Sequence, residues 1–259
     1  MSTQADASKP ASSKWIPLES NPDVMNAWAE KLGLATKVSR FNDVYGLDPD
    51  LLALVPQPSK AVLLVFPLTE KIDKERRESD EKIQREGQKA PIDPTIFFIK
   101  QTIDNACGTI GLLHALGNAD VTIKPMSPLA KFFEQCADET PDKRALILEH
   151  TKLFTSAHVE AATQGQTSIP ADLDTDLHFV TFVVAPDPTA PIDDGDDTRN
   201  QFEKRIIELD GRRSGPVDHG PTKDETFLKD VAKIVREEFI GTSVSLEFGM
   251  ISLGPPEGH

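Results

Sequence analysis

Hydrophobic positions along the 259-residue chain repeat with two different periods. Helical spacing, with apolar residues three and four apart, recurs in five places. Val24, Met25, Trp28 and Leu32 follow an Asn21-Pro22 start and precede Gly33, a residue suited to ending a helix. Ile110, Leu113 and Leu116 form a second set, and Leu129, Phe132, Phe133 and Cys136 a third, opened by Ser127-Pro128. Thr140-Pro141 opens a helix through Leu146 and Ile147, and Phe227, Val231 and Ile234 line one over about Asp224–Phe239. Asp48-Pro49 starts a shorter helix through Leu51, Leu52 and Val55.

Continuous or alternating apolar runs predict strands at Ala61–Phe66, Leu177–Val184, Arg205–Leu209 and Ser243–Leu253. Thr69–Gln88 is dense in charge, with only Ile72 and Ile83 apolar, and is expected to be an exposed helix or helix plus loop with a solvated face. Lys152–Pro170 is small, polar and without an obvious apolar period, which predicts a long loop of the kind that forms lids and gates. Pro186–Asn200 is acidic and proline-bearing and reads as a surface excursion. The polar, small-residue stretch 1–13 is expected to be a disordered tail, and GPPEGH a frayed end.

Composition sets the class. Hydrophobic residues at 38% and charged ones at 27% fit one large globular domain, over 14–254, or two small ones. No apolar run approaches a membrane span, and the N-terminus has no apolar signal core, so an intracellular protein is expected: cytoplasmic, with the nucleus open as well. Two cysteines in a reducing compartment make a stabilising disulfide unexpected. A net charge of −14 argues against a nucleic-acid partner and suits a basic protein or peptide, although a solubilising surface is the commoner meaning of such a charge. There is no phosphate-binding glycine loop and no paired Cys–His spacing for zinc, so neither a cofactor nor a metal is expected.

The candidate chemistry lies in QTIDNACGTIGLLHAL, Gln101–Leu116. Asp104 and Asn105 are helix-capping types, and the apolar repeat begins just beyond them. Cys107 therefore belongs to the first turn, where the helix dipole favours a thiolate. Gly108 leaves the sulfur open to approach, and the Gln101 amide can donate toward it. The bland alternative is a buried structural cysteine. Cys136, at core spacing, fits that role better.

A base must come from the six histidines. His114 is seven residues from Cys107 on the same helix, roughly 10 Å away and out of reach. His178 sits in a strand that can fix its ring, on the face of Val180 and Phe182. From the pattern alone, a core histidine satisfied by a backbone carbonyl is a slightly better reading of it than a catalytic one. Asp210 closes the next strand and can orient an imidazole, or can simply be the aspartate of an Asp-Gly turn. On these grounds His158 and His219 also stay open.

QTIDNACGTIGLLHAL, DLHFV and ELDGR, in that order, resemble signature segments of the ubiquitin C-terminal hydrolases, papain-like cysteine proteases. KWIPLESNPDVMNAWAEKLGL, FNDVYGLDPDLLALVPQPSKAVLLVFPLTE, TSAH…GQT and DETFLKD resemble further family segments, so the likeness runs from about Trp15 to Leu253. The resemblance implies an α/β (α+β) fold with a central antiparallel sheet between helices and a knotted backbone. It implies Cys107 as nucleophile, His178 as general base and acid, Asp210 as its orienting carboxylate and Gln101 in the oxyanion hole. Lys152–Pro170 matches the loop that arches over the site and limits leaving groups to small adducts, short peptides or flexible tails. The implied partner is ubiquitin; Trp15, Glu19, Asp43 and His158 are weaker candidates for its contacts, for which a solvated carboxylate or a packing anchor is as good a reading. Rivals are a ubiquitin-like modifier such as NEDD8, or storage of ubiquitin without turnover. The chain resembles the compact members, and a monomer is expected. Pro186–Asn200 departs from the short hairpin typical of the family.

Overall fold

The computed structural model describes residues 14–88, 90–166, 173–189, 204–241 and 247–258. Among these, six strands make one sheet: Arg40–Val44 (β1), Ala61–Pro67 (β2), Leu177–Pro186 (β3), Lys204–Leu209 (β4), Val217–Thr222 (β5) and Gly249–Gly254 (β6). Their order is β1-β6-β2-β3-β4-β5, and every neighbouring pair is antiparallel. The helices are Pro22–Leu32 (α1), Pro49–Leu52 (α2), Glu70–Glu86 (α3), Cys107–Asn118 (α4), Pro128–Cys136 (α5), Pro141–His150 (α6), Lys152–Gln164 (α7) and Phe227–Ile234 (α8), the last running into a π-helical segment, Val235–Ile240.

The strand period of two splits the core into two layers. Ala61, Leu63 and Val65 of β2 face one cluster, with Phe179 and Val183 of β3 and the buried faces of α1, α4, α5, α6 and α7. Val62, Leu64 and Phe66 face the other, with Val180, Phe182, Leu52, Ile72 and the apolar stripe of α8. Helices therefore cover both sides of the sheet. Helix starts follow their caps: Asn21 accepts from Asp23 N at 2.9 Å, Ser127 from Ala130 N at 3.3 Å and Thr140 from Lys143 N at 3.4 Å, each with proline at the next position.

Four expectations need correction. Lys152–Pro170 is not a loop throughout: Lys152–Gln164 is helical, with Phe154, Ala157, His158, Ala161 and Ala162 buried. Alanines carry that face, so its period is faint to hydropathy, yet alanine is the strongest helix former and lets α7 lie close on α1. The face of α3 is not wholly solvated, because Arg76 turns inward (below). β1 and β5 were not expected; RFNDV and VDHGPT are short and polar, and tertiary pairing makes them strands. The chain end is not loose throughout, since Asn42 Nδ2 donates to Pro255 O at 3.1 Å. Stretch 1–13, positions 190–200 of the acidic excursion and 243–246 of the last expected strand lie outside the described residues.

Candidate active site

Cys107 is the first residue of α4 and is buried. The expected caps do not cap. Ala106 holds that position without a side-chain bond, so the sulfur lies among backbone N–H groups that no capping side chain satisfies. Asn105 instead takes a left-handed backbone, φ 62°, which asparagine tolerates. Its Nδ2 donates to Trp15 O at 2.9 Å and to Leu173 O at 2.7 Å. Gly108 does less for the sulfur than for packing: a Cβ there would fall 2.8 Å from Leu18 Cβ. The glycine lets the N-terminal segment, residues 15–18, lie against the cysteine turn.

His178 stands near the start of β3, packed edge-on against Phe66 at 5.9 Å. Asp210 follows β4. His178 Nε2 donates to Asp210 Oδ1 at 2.8 Å, and both side chains are buried. Cys107 and His178 line one cavity and lie close enough to shift each other's pKa. Burial alone would raise the thiol pKa. The hydrogen bond and charge of His178, and the backbone N–H of Phe179, outweigh it and the thiol is lowered. Burial likewise opposes the imidazolium, but the Asp210 carboxylate and the Cys107 sulfur raise His178 to about 9. Asp210 is held far below the ordinary carboxylate range: burial is overcome by His178, by Arg76 and by the Arg212 N–H. Both shifts move the two groups toward a thiolate–imidazolium pair.

Gln101 joins the site through the Asp210 turn. Its N–H donates to Gly211 O at 2.9 Å, and a Cβ on residue 211 would sit 2.9 Å from that nitrogen. Only glycine lets the two segments approach so closely. One hydrogen of the Gln101 amide goes to Ile103 O at 3.2 Å, and Oε1 is buried without a partner.

Behind Asp210 lies a charge network that sequence reasoning missed. Arg76 Nη2 donates to Asp210 Oδ2 at 2.7 Å and to Glu208 Oε1 at 2.5 Å. Glu208 also accepts from His219 Nε2 at 2.8 Å and pairs with Arg213. Nothing in the run EKIDKERRESDEKI distinguishes Arg76 from its solvated neighbours; the signal is long-range pairing alone.

The other candidates are placed as follows. His114 is buried and stacks on Phe98, its Nε2 accepting from Ile99 N, and burial lowers it to about 4. Cys136 is buried, and burial pushes its thiol up to about 11. His219 belongs to Glu208. His158 is fully buried: Nε2 donates to Ile16 O at 2.7 Å, Nδ1 accepts from Thr109 Oγ1 at 2.8 Å, and Trp15 covers the ring at 4.3 Å. Trp15 and His158 thus face each other inside the protein rather than solvent. Glu19 and Asp43 line one open cleft of about 450 Å³, with Asp23, Tyr45 and Glu257. A smaller cavity of about 220 Å³ holds Cys107, His178 and Asn105 beside Glu70, Asp176 and Arg212. Among the described residues no group of three or more His, Cys, Asp and Glu side chains is arranged to hold a metal ion.

The model of "Ubiquitin carboxyl-terminal hydrolase, family 1" matches residues 15–240. The chain belongs to that family. It is 41% identical over 252 residues to "Ubiquitin carboxyl-terminal hydrolase 3" of Arabidopsis thaliana, covering 96% of this chain and 98% of that protein. It is 34% identical over 239 residues to "Ubiquitin carboxyl-terminal hydrolase" of Drosophila melanogaster, covering 92% and 96%. The fold resembles the catalytic domain of Trichinella spiralis UCH37, solved bound to ubiquitin vinyl methyl ester, with a TM-score of 0.65, 20% identity and coverage of 94% and 97%. Within the matched span, Cys107, His178 and Asp210 come from a helix start, a strand start and a turn. Folding brings together groups that lie 32 residues apart in the case of His178 and Asp210.

Proposed function

We propose that this protein is a deubiquitinating thiol hydrolase that frees small adducts, short peptides or flexible tails from the C-terminal glycine of ubiquitin. The observation that carries the reading is the 2.8 Å His178–Asp210 bond, with His178 and Cys107 facing one cavity. The Cys107 thiolate adds to the glycine carbonyl, whose oxygen becomes an oxyanion facing the Cys107 N–H and the Gln101 amide. As the tetrahedral intermediate collapses, the His178 imidazolium gives its proton to the leaving amine or thiol and the scissile bond breaks. Neutral His178 then takes a proton from water, the hydroxyl attacks the thioester, the C–S bond breaks and the thiolate returns. Asp210 orients the ring and offsets the imidazolium charge throughout.

Two features support the substrate class. The acidic cleft begins at Glu19, one residue beyond the Leu18 that touches Gly108, so a basic extended tail laid there would run toward the sulfur. The segment Leu173–Asp176 is fastened on three sides: to Asn105, to Lys14 by an Asp174 ion pair, and to Leu68, whose N–H donates to Asp176 O at 2.8 Å. A fastened strap beside the nucleophile suits narrow leaving groups.

The test is release of a fluorophore from the C-terminus of ubiquitin, and in parallel of NEDD8, by the unaltered chain and by Cys107→Ala. Turnover of ubiquitin that disappears in Cys107→Ala is expected. Equal rates in the two proteins, or binding without turnover, would overturn the proposal.

A further inference from the structure

The charged side chain buried behind Asp210 has no part in the chemistry so far. Arg76 leaves α3, a helix most of whose charged side chains face water, and is almost enclosed, its side chain 12% exposed. Its guanidinium lies against two aromatic rings, Phe66 at 5.5 Å and Phe239 at 5.6 Å. Phe66 is the same ring that packs against His178. The rings hold the guanidinium from either element, one from β2 and one from the π-helical segment.

The Asp210 carboxylate has two oxygens, and their partners divide cleanly. Oδ1 accepts from His178 Nε2 at 2.8 Å and from Arg212 N at 2.9 Å. Oδ2 accepts from Arg76 at 2.7 Å. A buried carboxylate with one oxygen unpaired would turn to share its good donor or take up a proton. Arg76 removes both options. Glu208, at 2.5 Å, keeps the arginine itself in place.

We infer that Arg76 is a positioning residue for the hydrolytic reaction: it clamps Oδ2 of Asp210 so that Oδ1 stays aimed at His178, and the thiolate–imidazolium pair of Cys107 and His178 is assembled before substrate arrives. The inference rests on the reading of Cys107, His178 and Asp210 as the reacting triad. It acts through Asp210 and never touches substrate.

Charged groups surround Asp210 from each packed element. His178 comes from β3, Glu208 from β4, Arg76 from α3, and Arg212 and Arg213 from the turn; His114 of α4 is near enough to feel its charge. His114 is lowered to about 4 and is neutral through the range tested. Glu208 and Asp210 are both held well below the ordinary carboxylate range, so neither titrates there either. His219, bonded to Glu208 and raised to about 9, titrates only at the top of the range, so movement of the thiolate profile between pH 5 and 8 belongs to Cys107 and His178.

The experiment uses Arg76→Gln and Arg76→Lys in the full chain. The first readout is alkylation of Cys107 by iodoacetamide against pH, which needs no ubiquitin. In Arg76→Gln the midpoint for thiolate formation should rise by about one pH unit or more toward that of an ordinary thiol. The second is ubiquitin–fluorophore hydrolysis, where kcat should fall about ten- to hundred-fold with KM nearly unchanged. Arg76→Lys keeps the charge but cannot hold both carboxylates, so it should lie between the two on each readout. If Arg76→Gln does not fold, Arg76→Lys decides alone. A lowered Tm with the alkylation midpoint and kcat unmoved, in whichever variant folds, would make Arg76 a structural ion pair and overturn the inference. Should the unaltered chain fail to turn over ubiquitin, the proposed function falls, while the alkylation profile still decides the role of Arg76.

Discussion

The Asn105 side chain, two residues before Cys107, donates to the Leu173 carbonyl at 2.7 Å and so ties the strap to the turn that presents Cys107. The same amide holds Trp15 O. Asn105→Gly keeps the left-handed backbone open and removes only the two bonds. Limited proteolysis between 165 and 176 should become faster, and kcat/KM for ubiquitin–fluorophore should drop. Unchanged cleavage would mean the strap is secured without Asn105.

Gln101 is expected to act on the oxyanion alone. Gln101→Ala should lower kcat by about 10²–10³ with little change in KM, measured on the same fluorogenic substrate. A rise in KM at constant kcat would assign the side chain to binding instead.

The cleft of Glu19 and Asp43 should be read by salt. Asp43 already feels crowding: burial, then the charges of Asp23 and Glu257, raise its pKa. Asp43→Lys should raise KM for ubiquitin–fluorophore about five-fold, roughly 1 kcal/mol, at low ionic strength. Most of that difference should vanish in about 0.5 M salt. A defect that persists at high salt would point to shape rather than charge.

Acid should loosen the protein through His158. Burial holds this ring neutral, with its pKa lowered to about 4, while an unfolded chain protonates it near 6.5. The unfolded state therefore binds the extra proton between those values, and stability contributed at neutral pH is lost as pH falls from about 6.5 toward 4. The contribution is at most about 3 kcal/mol. His114, lowered to about 4 as well, acts in the same direction. Thermal unfolding across pH 4–7 should show His158→Gln less stable at pH 7 and flatter with pH than the unaltered chain. An equal slope in both would remove His158 from the acid response.

The readable parts of this fold were those written in local chemistry. Asn21-Pro22, Ser127-Pro128 and Thr140-Pro141 announce their helices because cap and first-turn proline are adjacent in the chain. The apolar run Ala61–Phe66 announces a strand packed on both faces. The cysteine at a helix start was legible for the same reason, whereas His178 and Asp210 stayed ambiguous until the resemblance tied the segments together. What escaped was carried by distance. Arg76 looks like any residue of a charged helix until Asp210, 134 positions later, folds beneath it. Asn105 looks like a cap because capping and left-handed turns draw on the same short polar side chains. Helix α7 hid because alanine counts little in hydropathy and much in helix stability.

The place of β6 in the sheet bears on how the molecule is made. Among the described strands, β1 pairs only with β6, and β6 separates it from β2. On a ribosome, the first of these strands to emerge can rest on α1 through the Asn26–Phe41 bonds, but it finds no strand to pair with until β6 has been synthesised.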